Sequence, residues 1–237
     1  SWCIINTGPL CLMMTNGGKS TLSCSLQQRI PSSCIIAQDT FFKVACIPVD
    51  SNGFKQYDML DALDMDQMMS EVNLWQRDPE SFLAERGLTT THTALSAEEK
   101  VFVLIVEGFL IFNYRPLNEK MDLRYFMEIP YDVCKTRRCL RVYMPPDPPG
   151  YFDGHVWPMY LKNRQEMESM TSGIVFLDGL KSKGELLASV YEDVTQEIER
   201  LMGKLPWGEG FCLYNFNTVP IVVDICLGIF PICSSNF

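Results

Sequence analysis

Short apolar runs alternate along the chain with longer segments in which apolar residues recur every three or four positions. The most continuous run, residues 101–106, is typical of a strand that is covered on both faces. Similar but shorter runs predict four more strands, and the longer periodic segments predict helices. The strands are expected at residues 10–14, 34–37, 101–106, 125–129 and 174–177, and the helices at residues 20–28, 58–75, 131–143, 153–170 and 182–202.

This alternation predicts an α/β fold with a central, mostly parallel, five-stranded sheet and helices on both of its faces. The length of 237 residues suits one such domain with an appended tail. We place the domain at residues 1–204, with an atypical opening at residues 1–14, where a Gly-Pro pair shortens the first strand. Residues 132–152 are expected to form a lid and a substrate loop, because Pro, Gly and aromatic residues become dense there. Residues 205–237 hold only two charged residues and form an atypical hydrophobic tail.

The composition excludes several classes of protein. A net charge of -9 argues against a general nucleic-acid binder, which needs a basic face of clustered Lys and Arg. The ten cysteines are scattered without a C-x-x-C pair and are accompanied by only two histidines, so no zinc site is expected. Several cysteines fall in apolar runs, which indicates free thiols in a reducing, cytoplasmic compartment. No segment predicts a membrane span, and the opening segment lacks the pattern of a signal peptide.

The clearest chemical motif is TNGGKSTL, at residues 15–22. Its two glycines allow the backbone to approach a phosphate, and the helix that follows presents its positive end to the same group. Lys19 is then placed to reach the β- and γ-phosphates, and the Ser20 hydroxyl is placed to bind Mg²⁺. The full pattern is G-x-x-x-x-G-K-[ST], and Met13 stands where the first glycine belongs. A flexible turn is the alternative explanation of the Gly-Gly pair.

Two acids follow predicted strands, at the sheet edge where open α/β folds bind ligands. Asp39 comes after strand 34–37 and is a candidate general base, with a helix cap as the alternative. Glu107 comes directly after strand 101–106 and resembles the Walker B carboxylate that holds Mg²⁺ through water. A carboxylate that simply faces solvent is the alternative for Glu107.

The densest run of basic residues lies on the predicted helix over residues 131–143. Its members lie on neighbouring turns, so they form one positive surface, although ordinary solvated charge also explains them. They are Lys135, Arg137, Arg138 and Arg141.

Six segments together resemble one family of enzymes. They are TNGGKSTL at 15–22, QDTFFK at 38–43, NGFKQYD at 52–58, VEGFLIFNYRPL at 106–117, RRCLRVY at 137–143 and DPPGYFDGHVWPMY at 147–160. With these segments the chain closely resembles the nicotinamide riboside kinases, especially the muscle-type second enzyme, within the uridine kinase-like P-loop kinases. The match covers about Thr15 to Met202, and residues 1–12 and the terminal tail lie outside it.

The resemblance implies an activity and a set of site residues. The expected reaction is ATP-dependent phosphorylation of the 5′-hydroxyl of nicotinamide riboside with Mg²⁺, which makes nicotinamide mononucleotide for NAD biosynthesis by salvage. It implies that Asp39 is the base, that Asp58 binds the ribose hydroxyls, and that Tyr143 stacks on the nicotinamide ring opposite Tyr57. The implied catalytic residues are Lys19 and Asp39; the ATP site is Asn16, Gly17, Gly18, Lys19, Ser20, Thr21, Arg137 and Arg141; the substrate site is Asp39, Phe42, Tyr57, Asp58, Arg138, Tyr143 and Asp147; the metal ligands are Ser20, Asp39 and Glu107.

Two alternative functions stay open at this level. The first is an interaction protein on a kinase scaffold, motivated by Met13 and by the binding of an integrin cytoplasmic tail that the resemblance suggests for muscle-type members. No segment of this sequence indicates an integrin site. The second is a uridine or cytidine kinase, because the fold is shared, although the Tyr57 and Tyr143 pair favours a pyridine nucleoside.

Overall fold

A parallel β-sheet organises the part of the chain that the computed structural model describes, which is residues 18–43, 45, 47–88, 100–141, 143, 146–201 and 218–226. Its five strands lie in the order β1-β2-β5-β3-β4, and each pairs in parallel with its neighbours. The predicted α/β fold with a five-stranded sheet is therefore confirmed. The strands are β1 Ser33–Ala37, β2 Lys100–Gly108, β3 Leu123–Glu128, β4 Ile174–Asp178 and β5 Thr218–Cys226.

Seven helices alternate with these strands among the described residues, as a parallel sheet requires. Two 3₁₀ turns, Gln38–Phe41 and Leu60–Ala62, and a π-helical turn, Phe152–Val156, complete the regular structure. The helices are α1 Lys19–Arg29, α2 Met65–Arg77, α3 Pro79–Glu85, α4 Arg115–Asn118, α5 Tyr131–Cys139, α6 Trp157–Met170 and α7 Lys183–Leu201.

Three predicted helix boundaries differ from those of the structure. The helix expected from residue 58 begins only at Met65, because the Asp64 carboxylate caps it by accepting a hydrogen bond from the backbone N–H of Gln67. The helix expected to reach residue 143 ends at Cys139. The helix expected from residue 153 begins as the π-helical turn, and only Trp157 starts its α-helical part.

Helix α3 lies between the helices and strands predicted above, in a polar segment for which the hydrophobic pattern predicts no regular structure. The signals for it are present in the sequence, because Asp78 accepts a hydrogen bond from the backbone N–H of Ser81 and Pro79 occupies the first helical position. A capping acid followed by proline therefore outweighed the general polarity of the segment.

The middle strand of the sheet, β5, comes from the segment that was expected to be a tail. It pairs with β2 from Thr218 to Cys226, and its last four residues also pair with β3. The pattern did not predict this strand, because a proline within an apolar run argues against a central position. Pro220 is the third residue of β5, near its beginning. The first strand predicted at residues 10–14 lies outside the described residues, as does Met13.

The sheet core explains how the site is assembled. Residues 102–106 of β2 are completely buried; α1 packs on β2 and β5, and α7 packs on α1 and β5. Ala37 at the end of β1 pairs with Glu107 near the end of β2, so the chain that follows each strand emerges at the same edge. Among the described residues no helix is both long and apolar enough to cross a membrane.

Candidate functional site

The site has two parts, and the first, the phosphate side, begins at the amino end of α1. Gly18 precedes the helix with φ +95°, a left-handed conformation that only glycine adopts without strain. Among the described residues no side chain caps this end, and the first backbone N–H groups of α1 can bind an anion. Asn16 and Gly17, which the sequence predicted as further phosphate contacts, lie outside the described residues.

Lys19, the first residue of α1, is buried between the two predicted acids. Its Nζ lies 3.6 Å from Asp39 Oδ2 and 3.7 Å from Glu107 Oε1. The ammonium therefore contacts two carboxylates at once and offsets one of their two negative charges, and each carboxylate lies beside the end of a neighbouring strand. Lys19, Asp39 and Glu107 therefore lie close together, as the sequence predicts.

Two serines of α1 bind the Glu107 carboxylate. The Ser20 hydroxyl donates to Oε1 at 3.1 Å, and the Ser23 hydroxyl donates to Oε2 at 2.8 Å. These residues lie three positions apart, on one face of the helix. Ser20 was predicted as a site residue and Ser23 was not, although the helical spacing from Ser20 was a signal that could have indicated it.

Gln38 fixes the loop that follows β2. Its Oε1 accepts hydrogen bonds from the backbone N–H groups of Phe109 and Leu110, both at 2.9 Å. A Cβ on Gly108 would come within 2.5 Å of the same Oε1 atom, so the close approach requires glycine there. The residue before the candidate base thus connects the ends of β1 and β2, a role that the sequence pattern did not indicate.

The residues predicted to hold Mg²⁺ offer suitable donors. Ser20, Asp39 and Glu107 supply hydroxyl and carboxylate oxygens, and Mg²⁺ in kinases is held by one or two carboxylates together with phosphates and water. Within the described ranges no group of three or more His, Cys, Asp and Glu side chains could hold a metal. These hydroxyl and carboxylate donors fit an ion that arrives bound to a nucleotide.

An open cleft of about 450 Å³ adjoins the amino end of α1. Gly18 and Thr21 line it together with basic side chains from two other segments, one at the end of α5 and one that connects β4 to α7. Because the chain carries a net charge of -9, this concentration of positive charge is local and favours an anionic ligand. Arg137 and Arg141 were predicted here, whereas the other two cations were not. The basic residues that line the cleft are Arg137, Arg141, Lys181 and Lys183.

The second part, the nucleoside side, lies beyond Asp39 along the chain. Phe42 stacks on Phe109 with ring centroids 5.8 Å apart, and the edge of Tyr57 meets Phe42 at 5.9 Å. Asp58, the next residue, is 2% exposed, and its backbone oxygen accepts a hydrogen bond from Asn163. Burial raises the pKa of the Asp58 carboxyl, while the contact with His155 acts in the opposite direction.

Arg138 forms the other wall of the nucleoside side. It is 4% exposed, and its Nε and Nη2 donate to the two oxygens of Asp147 at 2.6 and 3.1 Å. Its guanidinium carbon lies 4.7 Å from the ring centroid of Tyr143 and 5.7 Å from that of Tyr151. The predicted residues Arg138, Tyr143 and Asp147 are therefore in one cluster, and Tyr151 is an unpredicted member of it.

His155 is, after Tyr151, a second residue of the nucleoside side that was not predicted from the sequence. It is buried, and its Nε2 lies 3.2 Å from Asp58 Oδ2. The signal was available, since it is one of only two histidines and lies in the segment that is dense in glycine and aromatic residues.

Comparison with curated proteins finds relatives along most of the chain. Nicotinamide riboside kinase 1 of Rattus norvegicus is 53% identical over 191 residues, which are 80% of this chain and 94% of that protein. Nicotinamide riboside kinase 2 of Mus musculus is 47% identical over 186 residues, 78% of this chain and 93% of that protein. A uridine kinase of Clostridium botulinum is 27% identical over 136 residues, 54% of this chain and 64% of that protein. No family model matches the chain.

These values confirm the resemblance on which the site residues were assigned. Identity to nicotinamide riboside kinase 1 of Rattus norvegicus, 53%, is slightly higher than identity to nicotinamide riboside kinase 2 of Mus musculus, 47%. The comparison therefore does not single out the second, muscle-type enzyme. The matched region spans almost the whole length of both relatives. The chain belongs to the nicotinamide riboside kinase family.

Proposed function

We propose that this chain is an ATP-dependent kinase that phosphorylates the 5′-hydroxyl of nicotinamide riboside and makes nicotinamide mononucleotide, a salvage step of NAD biosynthesis. Membership of a family whose relatives are named for this substrate supports the proposal. The observation that carries it is the Lys19 ammonium, held between Asp39 and Glu107 at the amino end of α1. This position joins an anion-binding helix end to two carboxylates, as transfer of a phosphoryl group requires.

In the proposed reaction the 5′-hydroxyl oxygen bonds to the γ-phosphorus of ATP while Asp39 accepts the hydroxyl proton. The bond from the γ-phosphorus to the bridging oxygen breaks, and ADP leaves with that electron pair. Lys19 Nζ stabilises the negative charge on the transferring phosphoryl oxygens, and the cleft cations Arg137 and Arg141 hold the other phosphates. The side chain of Asp39 is 24% exposed, so a substrate hydroxyl can approach it.

Mg²⁺ is proposed to accompany ATP, with Ser20, Asp39 and Glu107 as the residues that would hold it. When bound, it supplies charge neutralisation and orientation of the β- and γ-phosphates. Ser23 contributes by keeping the Glu107 carboxylate in place through its hydrogen bond.

On the nucleoside side we propose that Asp58 binds the ribose hydroxyls and that Tyr143 and Tyr57 stack against the nicotinamide ring. The ring is a pyridinium cation, and each aromatic face contributes roughly 0.5 to 2 kcal/mol to binding such a group. Asp147 neutralises the Arg138 guanidinium, so the cation meets little net positive charge beside Tyr143.

We further propose a domain organisation and a cellular compartment for the chain. Residues 132–152 act as a lid and substrate loop, and the kinase domain is residues 1–204 with strand β5 added to its sheet. A reducing, cytoplasmic compartment is supported by the free thiols: burial raises the pKa of Cys34 to about 12, which keeps that thiol unreactive. The three relatives described above are named for kinase activities and not for an integrin partner, and the proposal does not include one.

The test is a product assay on the purified chain with Mg-ATP and nicotinamide riboside, uridine or cytidine as acceptor. We expect nicotinamide mononucleotide and ADP in equal amounts, with kcat/KM for nicotinamide riboside at least about ten-fold above that for either pyrimidine nucleoside. A higher kcat/KM for uridine would assign the chain to pyrimidine nucleosides. No product from any acceptor would leave the interaction protein as the better description.

Two variants test the assigned roles. Lys19→Ala and Asp39→Asn should each lower kcat by about 100-fold to 10,000-fold, because one removes charge stabilisation and the other removes the base. Arg77→Ala removes an exposed cation at the end of α2 and should leave kcat unchanged. Circular dichroism and thermal melting check that each variant is folded. Near-normal turnover by Asp39→Asn would show that Asp39 is not the base.

A further inference from the structure

His155 occupies an unusual place in the fold. It lies in the π-helical turn Phe152–Val156 that precedes α6, and its side chain is 4% exposed. Turns of this kind are uncommon and frequently occur at functional sites, because they shift a side chain away from its position on an ideal helix. Here the shifted side chain reaches Asp58.

The contacts of the imidazole define its tautomer. Gln56 Nε2 lies 3.3 Å from His155 Nδ1, and the same amide donates to the backbone oxygen of Phe54 at 3.0 Å. An amide NH₂ group only donates, so Nδ1 is the acceptor and the ring proton is on Nε2. That N–H faces Asp58 Oδ2 at 3.2 Å, an ion-pair contact whose orientation falls short of hydrogen-bond geometry, and neither atom has a hydrogen-bond partner among the described residues.

Aromatic neighbours hold the ring in this orientation. His155 stacks on Tyr151 with centroids 5.1 Å apart and planes inclined by 21°, and it also lies against Phe54. The Tyr151 hydroxyl donates to the backbone oxygen of Lys55 at 2.7 Å, which connects the stack to the chain around Gln56. A Cβ on Gly154 would lie 3.1 Å from the Phe54 ring, so the turn packs tightly on that ring. The imidazole is therefore oriented before any ligand arrives.

A buried pair that only stabilises the fold is the simpler explanation of these contacts. Two observations favour a role in binding. No hydrogen bond to Asp58 Oδ1 is found within the described part of the chain, so one carboxylate oxygen remains available. The charged groups that face Asp58 besides His155 are Arg138 and Asp147, which belong to the nucleoside side. Asp58 Oδ2 thus faces His155, and the carboxylate as a whole lies close to the charges of the nucleoside side.

We propose that His155 is a positioning residue of the nucleoside side: its Nε2–H holds Asp58 Oδ2, so that Oδ1 accepts a hydrogen bond from the ribose of the bound nucleoside. The inference rests on the proposed function, because it takes Asp58 as the ribose ligand. His155 neither touches the phosphates nor moves a proton in the reaction. Its effect should therefore appear in nucleoside binding and not in ATP binding.

Kinetics of two substitutions separate positioning from folding. His155→Leu removes the N–H and should raise KM for nicotinamide riboside about ten-fold or more, while KM for ATP changes less than about two-fold. His155→Gln keeps an N–H donor at a similar reach and should restore KM to within about three-fold of the original. Equal rises in both KM values, or no rescue by His155→Gln, would overturn the proposal.

A double-substitution cycle tests whether His155 acts through Asp58. Asp58→Asn should raise KM for nicotinamide riboside, and adding His155→Leu to it should raise KM by no more than about two-fold further, because the carboxylate that His155 positions is already absent. Additive effects of the two substitutions would show that His155 acts independently and would contradict the proposal.

Imidazole nitrogen NMR tests the pair without turnover. In a His92→Gln background only His155 contributes, and we expect a protonated Nε2, a bare Nδ1, and a shift of the Nε2 signal in Asp58→Asn. Nicotinamide riboside alone should move that signal, whereas Mg-ADP alone should not. If the chain phosphorylates no nicotinamide riboside, the proposed function fails, while the tautomer and the response to Asp58→Asn still test the contact. An Nδ1–H tautomer, or a signal that nicotinamide riboside leaves unchanged, would overturn the positioning role.

Discussion

The phosphate side and the nucleoside side are built differently, although helix α5 contributes to both. Arg137 lines the open cleft beside Gly18, whereas Arg138, the next residue, is buried against Asp147 and Tyr143. Successive residues of a helix point about 100° apart, so one turn of α5 supplies two different environments. The phosphate side is a solvated cleft lined by four cations, and the nucleoside side is a buried network of hydrogen bonds and rings.

The two sides should therefore bind their ligands, ATP and the nucleoside, through different interactions. Charges around an open cleft act over several ångströms and are weakened by salt, since the screening length is about 8 Å at physiological ionic strength. Buried groups that are already oriented lose little entropy on binding, and their contacts are short-range. We therefore expect ATP binding to depend on total charge and nucleoside binding to depend on exact geometry.

The largest expected difference between the two sides comes from replacing each arginine of α5 with lysine. Arg138→Lys should raise KM for nicotinamide riboside about 10-fold to 100-fold, because lysine cannot form the two-pronged contact with Asp147 or lie flat on Tyr143. The matched variant Arg137→Lys keeps a positive charge in the cleft and should change KM for ATP by less than about five-fold. Steady-state kinetics with each substrate varied in turn give both values. A larger effect of Arg137→Lys on KM for ATP than of Arg138→Lys on KM for nicotinamide riboside would contradict this assignment.

A smaller effect should separate the two sides by ionic strength. Raising the salt concentration from about 50 to about 300 mM should raise KM for ATP several-fold and leave KM for nicotinamide riboside nearly constant. Lys181→Ala should raise KM for ATP at low salt and reduce its salt dependence, because one cleft cation is removed. The control is Lys162→Ala, which removes an exposed cation on α6 outside the cleft. An equal salt dependence of both KM values would contradict the comparison.

The phosphate side was largely predictable from sequence because its signals are local. Lys19 follows directly on two glycines, and Asp39 and Glu107 each lie near the end of an apolar run that became a strand. Parallel strands bring such ends to one edge, so spacing alone placed these three residues together. The central strand β5 was not predictable in this way, since its position depends on pairing with β2 and β3 and Pro220 argued against it.

The nucleoside side was predictable only as far as the family resemblance names its residues. Asp58, Arg138, Tyr143 and Asp147 were expected from matching segments and not from any periodicity. The contact between Gln56 and His155 joins residues 99 positions apart, and no local pattern encodes it. A π-helical turn also lacks a sequence signature that would have indicated where His155 points.

The smallest effect on activity is expected from a buried acid that belongs to neither side. Asp122 precedes β3, at the opposite end of that strand from the site, and its pKa is raised to about 9 by burial and by the nearby Glu197, against the attraction of Arg124 and Arg200. The carboxyl is therefore neutral in the folded chain between about pH 4 and pH 9, while it is ionised in the unfolded chain. The unfolded state binds fewer protons in this range, so the free energy of unfolding falls as pH rises.

Asp122→Asn keeps the shape of the side chain and cannot ionise. The variant should therefore not show this fall in the free energy of unfolding as pH rises. At about pH 8 the variant should be more stable than the original chain by several kcal/mol, up to about 5, and the difference should vanish below about pH 3, where Asp122 is protonated in both states. Urea denaturation at a series of pH values measures this, with Glu192→Gln, an exposed acid of α7, as the control. Both KM values should stay unchanged, because Asp122 lies far along β3 from the nucleotide and the nucleoside. Parallel stability curves for Asp122→Asn and the original chain would show that Asp122 ionises normally in the fold.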